Sequence, residues 1–339
     1  MSAVVARAGL LDTLQDRGRT GCAALGVGTS GAMDDVSLRL ANALAGNEDD
    51  VAAIEFTAIG PTLRFERDAT IALTGAPFDA RIGDATAAMW RRLRVRAGDV
   101  LDVGRARDGL RGYLAVAGGF AAGHILGSAS TDLNAALGPF GGRALRKGDV
   151  LAIESQEHAS LAHHDTPLPA HWSLDPRPWF DADPARPVRV IRGAHFDALD
   201  AASQRALFES TFRVASDSNR VGLRLDGTTL ALRAPLELVS ESVAFGTVQL
   251  PPGGQPIVLM AEHPTTGGYP RIAQVAAVDL PRLAQRRPGA ALRFAEIGLD
   301  DAQTRYLRRE RALAELIDAI ARKLGRPDQA AHAADPASP

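Results

Sequence analysis

Short apolar runs set off by glycine, proline or aspartate recur along the chain, and they restrict its fold more than any other feature. Residues 70–74, 80–82, 93–95, 100–103 and 113–117 each read as a strand a few residues long. Residues 188–191, 212–214, 221–225, 236–239, 247–250, 257–261, 272–277 and 291–295 repeat the pattern in the second half. Gly98-Asp99 and Gly148-Asp149 stand just before apolar runs, as turns that start strands. Strands this short and this close leave no room for alternating β-α units. They predict a barrel or a sandwich.

Helices are few. Asp34 or Asp35 can cap one carrying Val36, Leu40, Ala43 and Leu44 on one face, stopped by Gly46. A second is expected over 197–209 behind Asp197, and a last one behind Asp300 or Asp301 with a stripe of Leu307, Leu313, Ile317, Ile320 and Leu324. At 339 residues, two domains are expected. We place a β domain at 1–154, a proline- and histidine-rich excursion at 155–187, a second β domain at 188–299, a helix at 300–325 and a disordered tail at 326–339.

Composition excludes several function classes. The net charge is −2, which gives no electrostatic case for nucleic acid or an anionic membrane. The single cysteine, Cys22, rules out a disulfide within the chain. No secretory signal or long apolar segment is read, so a cytoplasmic protein is expected. His158, His163, His164 and His171 match no metal-ligand spacing, so no metal is expected. The chain holds no P-loop and no G-x-S-x-G elbow, and no lysine in a biotin-carrier context. The G-x-G-x-x-G match at 26–31 lacks a preceding strand and is not read as a dinucleotide site.

Polar loops carry the functional signal. Residues 246–257 (GTVQLPPGGQPI) hold Gln249 and Gln255 on either side of a rigid turn. Thr265-Thr266-Gly267-Gly268 offers hydroxyls and backbone N–H groups that suit a carboxylate, phosphate or amide, and also suit a plain hairpin. Arg220 and Arg224 flank Gly222 as forks for an anion or as ion-pair partners. Arg19, with Asp16 and Arg17, sits in a glycine turn. Thr29 to Asp34 leads into the first helix as an anion loop or a cap. Gly127 to Thr131 is a further hydroxyl-rich loop.

Taken in order, these segments resemble a known family. The motifs are 11–19 (LDTLQDRGR), 30–34 (SGAMD), Ala41-Asn42, Glu55, 113–119 (YLAVAGG), 127–131 (GSAST), 218–225 (SNRVGLRL), 248–257 (VQLPPGGQPI) and 265–270 (TTGGYP). They are similar to those of the biotin-dependent carboxyltransferase-like family, also called allophanate hydrolase subunit 2. That family includes the C subunit of 5-oxoprolinase, an antagonist of a sporulation kinase inhibitor, and half of the carboxyltransferase domain of urea carboxylase.

The resemblance implies a mainly β chain with a few helices, built as two cyclophilin-like β-barrel domains. It implies a complex with subunits A and B that uses ATP to open 5-oxoproline to L-glutamate, with no covalent biotin on this chain. Carboxyl transfer from carboxybiotin on another protein, or regulation without catalysis, are the other activities it allows. Matched onto this sequence, it implies Arg220, Gln249 and Thr266 as catalytic residues. Arg19, Ser30, Asp34, Asn42, Glu55, Asn219, Gln255, Thr265 and Tyr269 would bind substrate. Arg220 and Arg19 would contact an anion, while Gln249 and Thr266 orient the substrate. Many relatives carry Asp where this chain has Asn219, which weakens a charge-based role there.

Overall fold

The computed structural model describes residues 2–154 and 172–325. Within the first stretch, two antiparallel sheets face each other across a shared core. One orders its strands Val150–Ala152, Ser2–Arg7, Thr62–Phe65, Val100–Asp102, Arg81–Ile82 and Ala85–Thr86. The other runs Asp12–Gln15, Ala53–Thr57, Arg111–Val116, Ala69–Gly75 and Arg92–Val95. Val5, Leu63 and Leu101 from the first sheet bury against Ile54, Phe56, Leu73 and Leu114 from the second. Alternation explains this: each strand sends every second side chain inward. The five-stranded sheet is apolar on its far face too. Helix α1 (Asp35–Ala45) covers that face, packing Leu38, Ala41 and Leu44 on Ala53, Ala72 and Ala115.

The second domain is one curled sheet. Its order is Ala291–Leu292, Phe212–Val214, Gly222–Asp226, Ile257–Leu259, Thr247–Gln249, Arg271–Val275, Val188–Arg192 and Phe294–Glu296. The two edge strands are neighbours in sequence, parted only by Arg293, so the sheet is nearly closed on itself. Val190, Val214, Leu225, Val258 and Ile272 fill its interior. Helix α2 (Ala201–Glu209) and the short α3 (Leu280–Ala284) flank it. The long α4 (Leu299–Lys323) returns to the first domain, where Leu313 and Ile320 pack against Val36 and Leu40 of α1. Among the described residues, no helix is long and apolar enough to cross a membrane.

Several boundaries differ from the sequence expectation. α2 starts at Ala201 with Asp200, not Asp197, as its cap; the Asp200 carboxylate accepts the Ser203 N–H at 2.6 Å. α4 is preceded by Gly298, and Asp300 and Asp301 lie in its first turn, where they suit the helix dipole. Residues 236–239 form no strand, and Val239 is exposed. The run 291–295 splits at Arg293 because its two halves pair with different strands, Phe212–Val214 and Val188–Arg192. Of the 155–187 excursion, 155–171 lies outside the described residues, with all four of its histidines, and so does the 326–339 tail. The remainder is packed structure: Trp172, Leu174, Trp179 and Phe180 lie against α1 and α4.

Two features of the first domain make predictions. Gly112 pairs with Phe56, and a Cβ there would stand 2.4 Å from the Phe56 ring and 2.8 Å from Phe78. These rings meet edge to face, centroids 4.8 Å apart. Gly112→Ala is therefore expected to cost about 1–3 kcal/mol in urea unfolding, as overpacking does. Asp12 is buried, and burial raises its pKa from 3.8 to about 7 against the opposing Gly9 N–H and Arg7 charge. The unfolded chain then releases this proton first as pH rises. Stability from this group is full below about pH 4 and is lost by about pH 7. Asp12→Asn should flatten that decline, read as melting temperature against pH.

Candidate functional site at the domain junction

The turn that starts α1 ties the two domains together. Ser30 and Gly31 both take positive φ, 53° and 87°, and Gly31 passes so close to Gly18 that a Cβ would lie 2.9 Å from its nitrogen. This bend throws Met33 out of the first domain, and its side chain lies in the core of the second. The Met33 N–H donates to Glu55 Oε2 at 2.8 Å. Asp34 then caps α1 through the Ser37 N–H at 3.1 Å.

Glu55 stands in the middle of a buried strand, opposite Tyr113 in register. The Tyr113 hydroxyl donates to Glu55 Oε2 at 2.6 Å and accepts the Asp34 N–H at 2.8 Å. Burial, with Glu55 and Asp34 adding to it, raises the tyrosine pKa well above its ordinary value, so it remains a donor. Arg220 reaches across from the second domain. Its Nη1 donates to Glu55 Oε1, its Nε to Glu262 Oε1 at 2.6 Å and its Nη2 to the Gly31 carbonyl at 2.6 Å. Burial alone would lower its pKa; Glu55 and Glu262 more than reverse that, and the net shift is upward. Glu262 also accepts Asn134 Nδ2 at 3.2 Å. Burial pushes the Glu262 carboxyl up, with Arg220 opposing and Asp132 reinforcing the rise.

A second tie lies beside it. Gln285 accepts the N–H groups of Leu110 and Arg111 at 3.0 and 2.9 Å and donates to Asp34 Oδ2 at 2.8 Å. Arg111 donates to the Ala284 carbonyl, and its Nε lies 3.9 Å from Glu55. Burial raises Asp34 to about 6 against the donors from Gln285 and Ser37.

The hydroxyl-rich loop folds onto Asp16. Ser128 and Ser130 hydroxyls donate to its Oδ1 at 2.6 and 2.5 Å, and the Ala129 N–H to Oδ2 at 2.6 Å. Ser30 donates to the Thr131 carbonyl at 2.8 Å. Arg19 is fully buried here. Its Nη2 donates to the Ser130 carbonyl, while Nη1 has no hydrogen-bond partner. Gly28, just before the bend at Ser30, lies against the second domain: a Cβ on it would lie 3.1 Å from the His263 carbonyl.

The structure thus gathers Arg19, Ser30, Asp34, Glu55 and Arg220 at one junction. Others lie apart. Asn42 closes the turn after α1 through the Val51 carbonyl at 2.6 Å. Asn219 makes a local turn, accepting the Val221 N–H at 2.8 Å. Gln255 donates to the Gly227 carbonyl and Thr229 hydroxyl, each at 3.2 Å, away from the junction. Gln249 is buried with an unpartnered Nε2, and a Cβ on Gly267 would lie 2.4 Å from that nitrogen. Thr266 and Tyr269 are exposed, and Thr266–Gly267 forms a small ribbon with Glu241–Ser242. The Thr265 carbonyl accepts the Val243 N–H at 3.2 Å. Because three nitrogens of Arg220 already hold protein oxygens, its side chain acts here as an interdomain tie.

Sequence reading missed Tyr113, Arg111, Gln285, Asn134 and Glu262 as members of this network. Arg111 and Tyr113 did leave a signal: two polar side chains at i and i+2 share one face of an otherwise apolar strand. Gln285 left none, since its partners lie more than a hundred residues away.

The carboxyltransferase domain, subdomain A and B, matches residues 25–296. The 5-oxoprolinase C subunit of Haemophilus influenzae is 39% identical over 290 residues, covering 86% of this chain and 89% of that protein. Its counterpart from Escherichia coli is 38% identical over 298 residues, covering 88% and 92%. A putative urea carboxylase from Emericella nidulans is 31% identical over 306 residues, but only 23% of it is covered. Among solved structures, the Kluyveromyces lactis urea amidolyase superposes with a TM-score of 0.84 at 28% identity, over 94% of this chain and 20% of that one. TTHA0988 gives a TM-score of 0.75 at 35% identity, over 87% of this chain and 56% of that one.

The junction predicts a stability effect. Removing Arg220 leaves Glu55 and Glu262 buried without their cation. Arg220→Ala is expected to destabilise by about 3–5 kcal/mol in denaturant unfolding, with the loss at the domain interface.

Proposed function

The chain belongs to the carboxyltransferase domain family, subdomain A and B, and from that membership we propose that it is the C subunit of an ATP-dependent 5-oxoprolinase, acting with subunits A and B to open 5-oxoproline to L-glutamate. The observation that carries this reading is similarity that spans nearly all of the C-subunit relatives. The two relatives named as 5-oxoprolinase C subunits are covered over 89% and 92%, whereas the urea carboxylase relative is covered over 23%.

The chemistry fits a binding role within a complex. A lactam amide is a poor electrophile, and phosphorylating its oxygen turns that oxygen into a leaving group. Such a step needs donors aimed at oxygen in a place shielded from water. Arg19 Nη1 and Gln249 Nε2 are buried donors with no protein partner. We assign Arg19 to an anionic oxygen, and Gln249 with Thr266 to orientation of the amide. Arg220, Glu55 and Tyr113 hold the junction in shape. ATP enters this reading as a co-substrate of the complex.

Carboxyl transfer from carboxybiotin on another protein is the second reading, favoured by the superposition on urea amidolyase. Co-expression with subunits A and B should give 5-oxoproline-dependent ATP hydrolysis with glutamate release. No glutamate from all three together would refute the first reading, and biotin-dependent carboxyl transfer would establish the second. Within an active complex, Gln249→Ala is expected to lower kcat/KM about tenfold or more, as loss of an oxyanion donor does, without lowering the melting temperature of the chain.

A further inference from the structure

A cavity of about 440 Å³ opens where α1, α3, α4 and the segment 177–189 meet, on a chain whose net charge is −2. Seven arginines and two aspartates line it. The floor is neutralised internally. Buried Asp279 accepts from Arg189 through both of its oxygens, with Arg282 Nη1 3.4 Å away. Asp181 serves both Arg186, at 2.8 Å, and Arg282, at 2.9 Å. Each aspartate is therefore shared between two guanidinium groups. Higher on the wall, Arg177 pairs with Asp175 and Arg309 with Glu310. The side chains of Arg305 and Arg308 have no hydrogen-bond or ion-pair partner among the described residues. They stand three apart on α4, hence on one side of it, and both are exposed to the cavity mouth.

We propose that this cavity binds a small organic ligand carrying two or more phosphate groups. Its size falls in the range of small-molecule sites, about 300–1,000 Å³. A guanidinium fork matches two phosphate oxygens at once, and two unpaired forks on one helix face match neighbouring phosphates. Val36, Pro178, Trp179 and Pro281 give the same cavity an apolar wall, which suits the organic part of a phosphate ester. The inference stands on the cavity alone and does not rest on the 5-oxoprolinase reading.

Titration calorimetry on the isolated chain tests it, using ATP, inorganic tripolyphosphate, adenosine and a poly-glutamate peptide, with no 5-oxoproline and no other protein present. ATP should bind with a Kd below about 1 mM, more tightly than tripolyphosphate, and adenosine should give no heat. The double variant Arg305→Ala/Arg308→Ala should keep its melting temperature and weaken ATP binding at least about tenfold. Undiminished binding by that variant, or no binding of either phosphate, would overturn the proposal. Tighter binding of poly-glutamate would replace it with an acidic partner segment, and equal affinity for tripolyphosphate and ATP would remove the apolar wall from the site. None of these results touches glutamate release by the full complex, so the two readings fail separately.

Discussion

The guanidinium of Arg220, held between Glu55 and Glu262, is the contact on which the arrangement of the two domains depends. All three side chains are about 1–2% exposed. A buried ion pair gains little over apolar packing, because each charge loses its water. What it adds is direction: a fork with three fixed acceptors accepts one orientation of the second domain. The Gly31 carbonyl is one of those acceptors, so the bend before α1 and the docking of the second barrel are set together.

Apolar packing reinforces the same geometry. Met33 fills the second core from the first domain, and α4, which follows the second barrel, packs back on α1. Arg39 of α1 adds a hydrogen-bonded pair with Glu310 of α4 at 2.7 Å. The chain therefore crosses between domains through the bend, the 172–187 segment and α4. Rotation of one barrel against the other would have to uncover Met33 and strip two buried carboxylates of their cation.

Much of the β architecture was legible because it rests on local rules. The strand 113–117, read from alternation and glycine boundaries, is observed as Arg111–Val116, starting two residues earlier and ending one sooner. The cap at Asp34 and the stop at Gly46 are both present, since capping needs only the residues of one turn. Glu55 and Arg220 were both singled out by resemblance, yet their contact was not, because Tyr113, Arg220 and Met33 converge on Glu55 only after three separate segments fold. The strand expected at 236–239 failed for the complementary reason. Leu236 and Val239 have the right residue types but no core to face, and both are exposed. The split at Arg293 also lay beyond local rules, since a five-residue segment read as one strand cannot announce that its halves join opposite edges of a sheet.

Hydrogen-bond saturation separates the residues that hold this junction from those free to meet a ligand. Asp16 takes four donors, Glu55 is met by Arg220, Tyr113 and the Met33 N–H, and Gln285 is engaged through both its oxygen and its nitrogen. A side chain so committed could contact a substrate only by breaking the joint it maintains. Arg19 Nη1 and Gln249 Nε2 are the opposite case: buried donors left without partners, each costing about 1–3 kcal/mol unless something else accepts from them. They sit on the two domains separately, one behind the Ser130 loop and one beneath Gly267. The tie at Arg220 fixes the orientation of the domain that carries Arg19 against the one that carries Gln249. A site assembled from both domains needs that fixed orientation, because donors must already be in place when charge develops on oxygen.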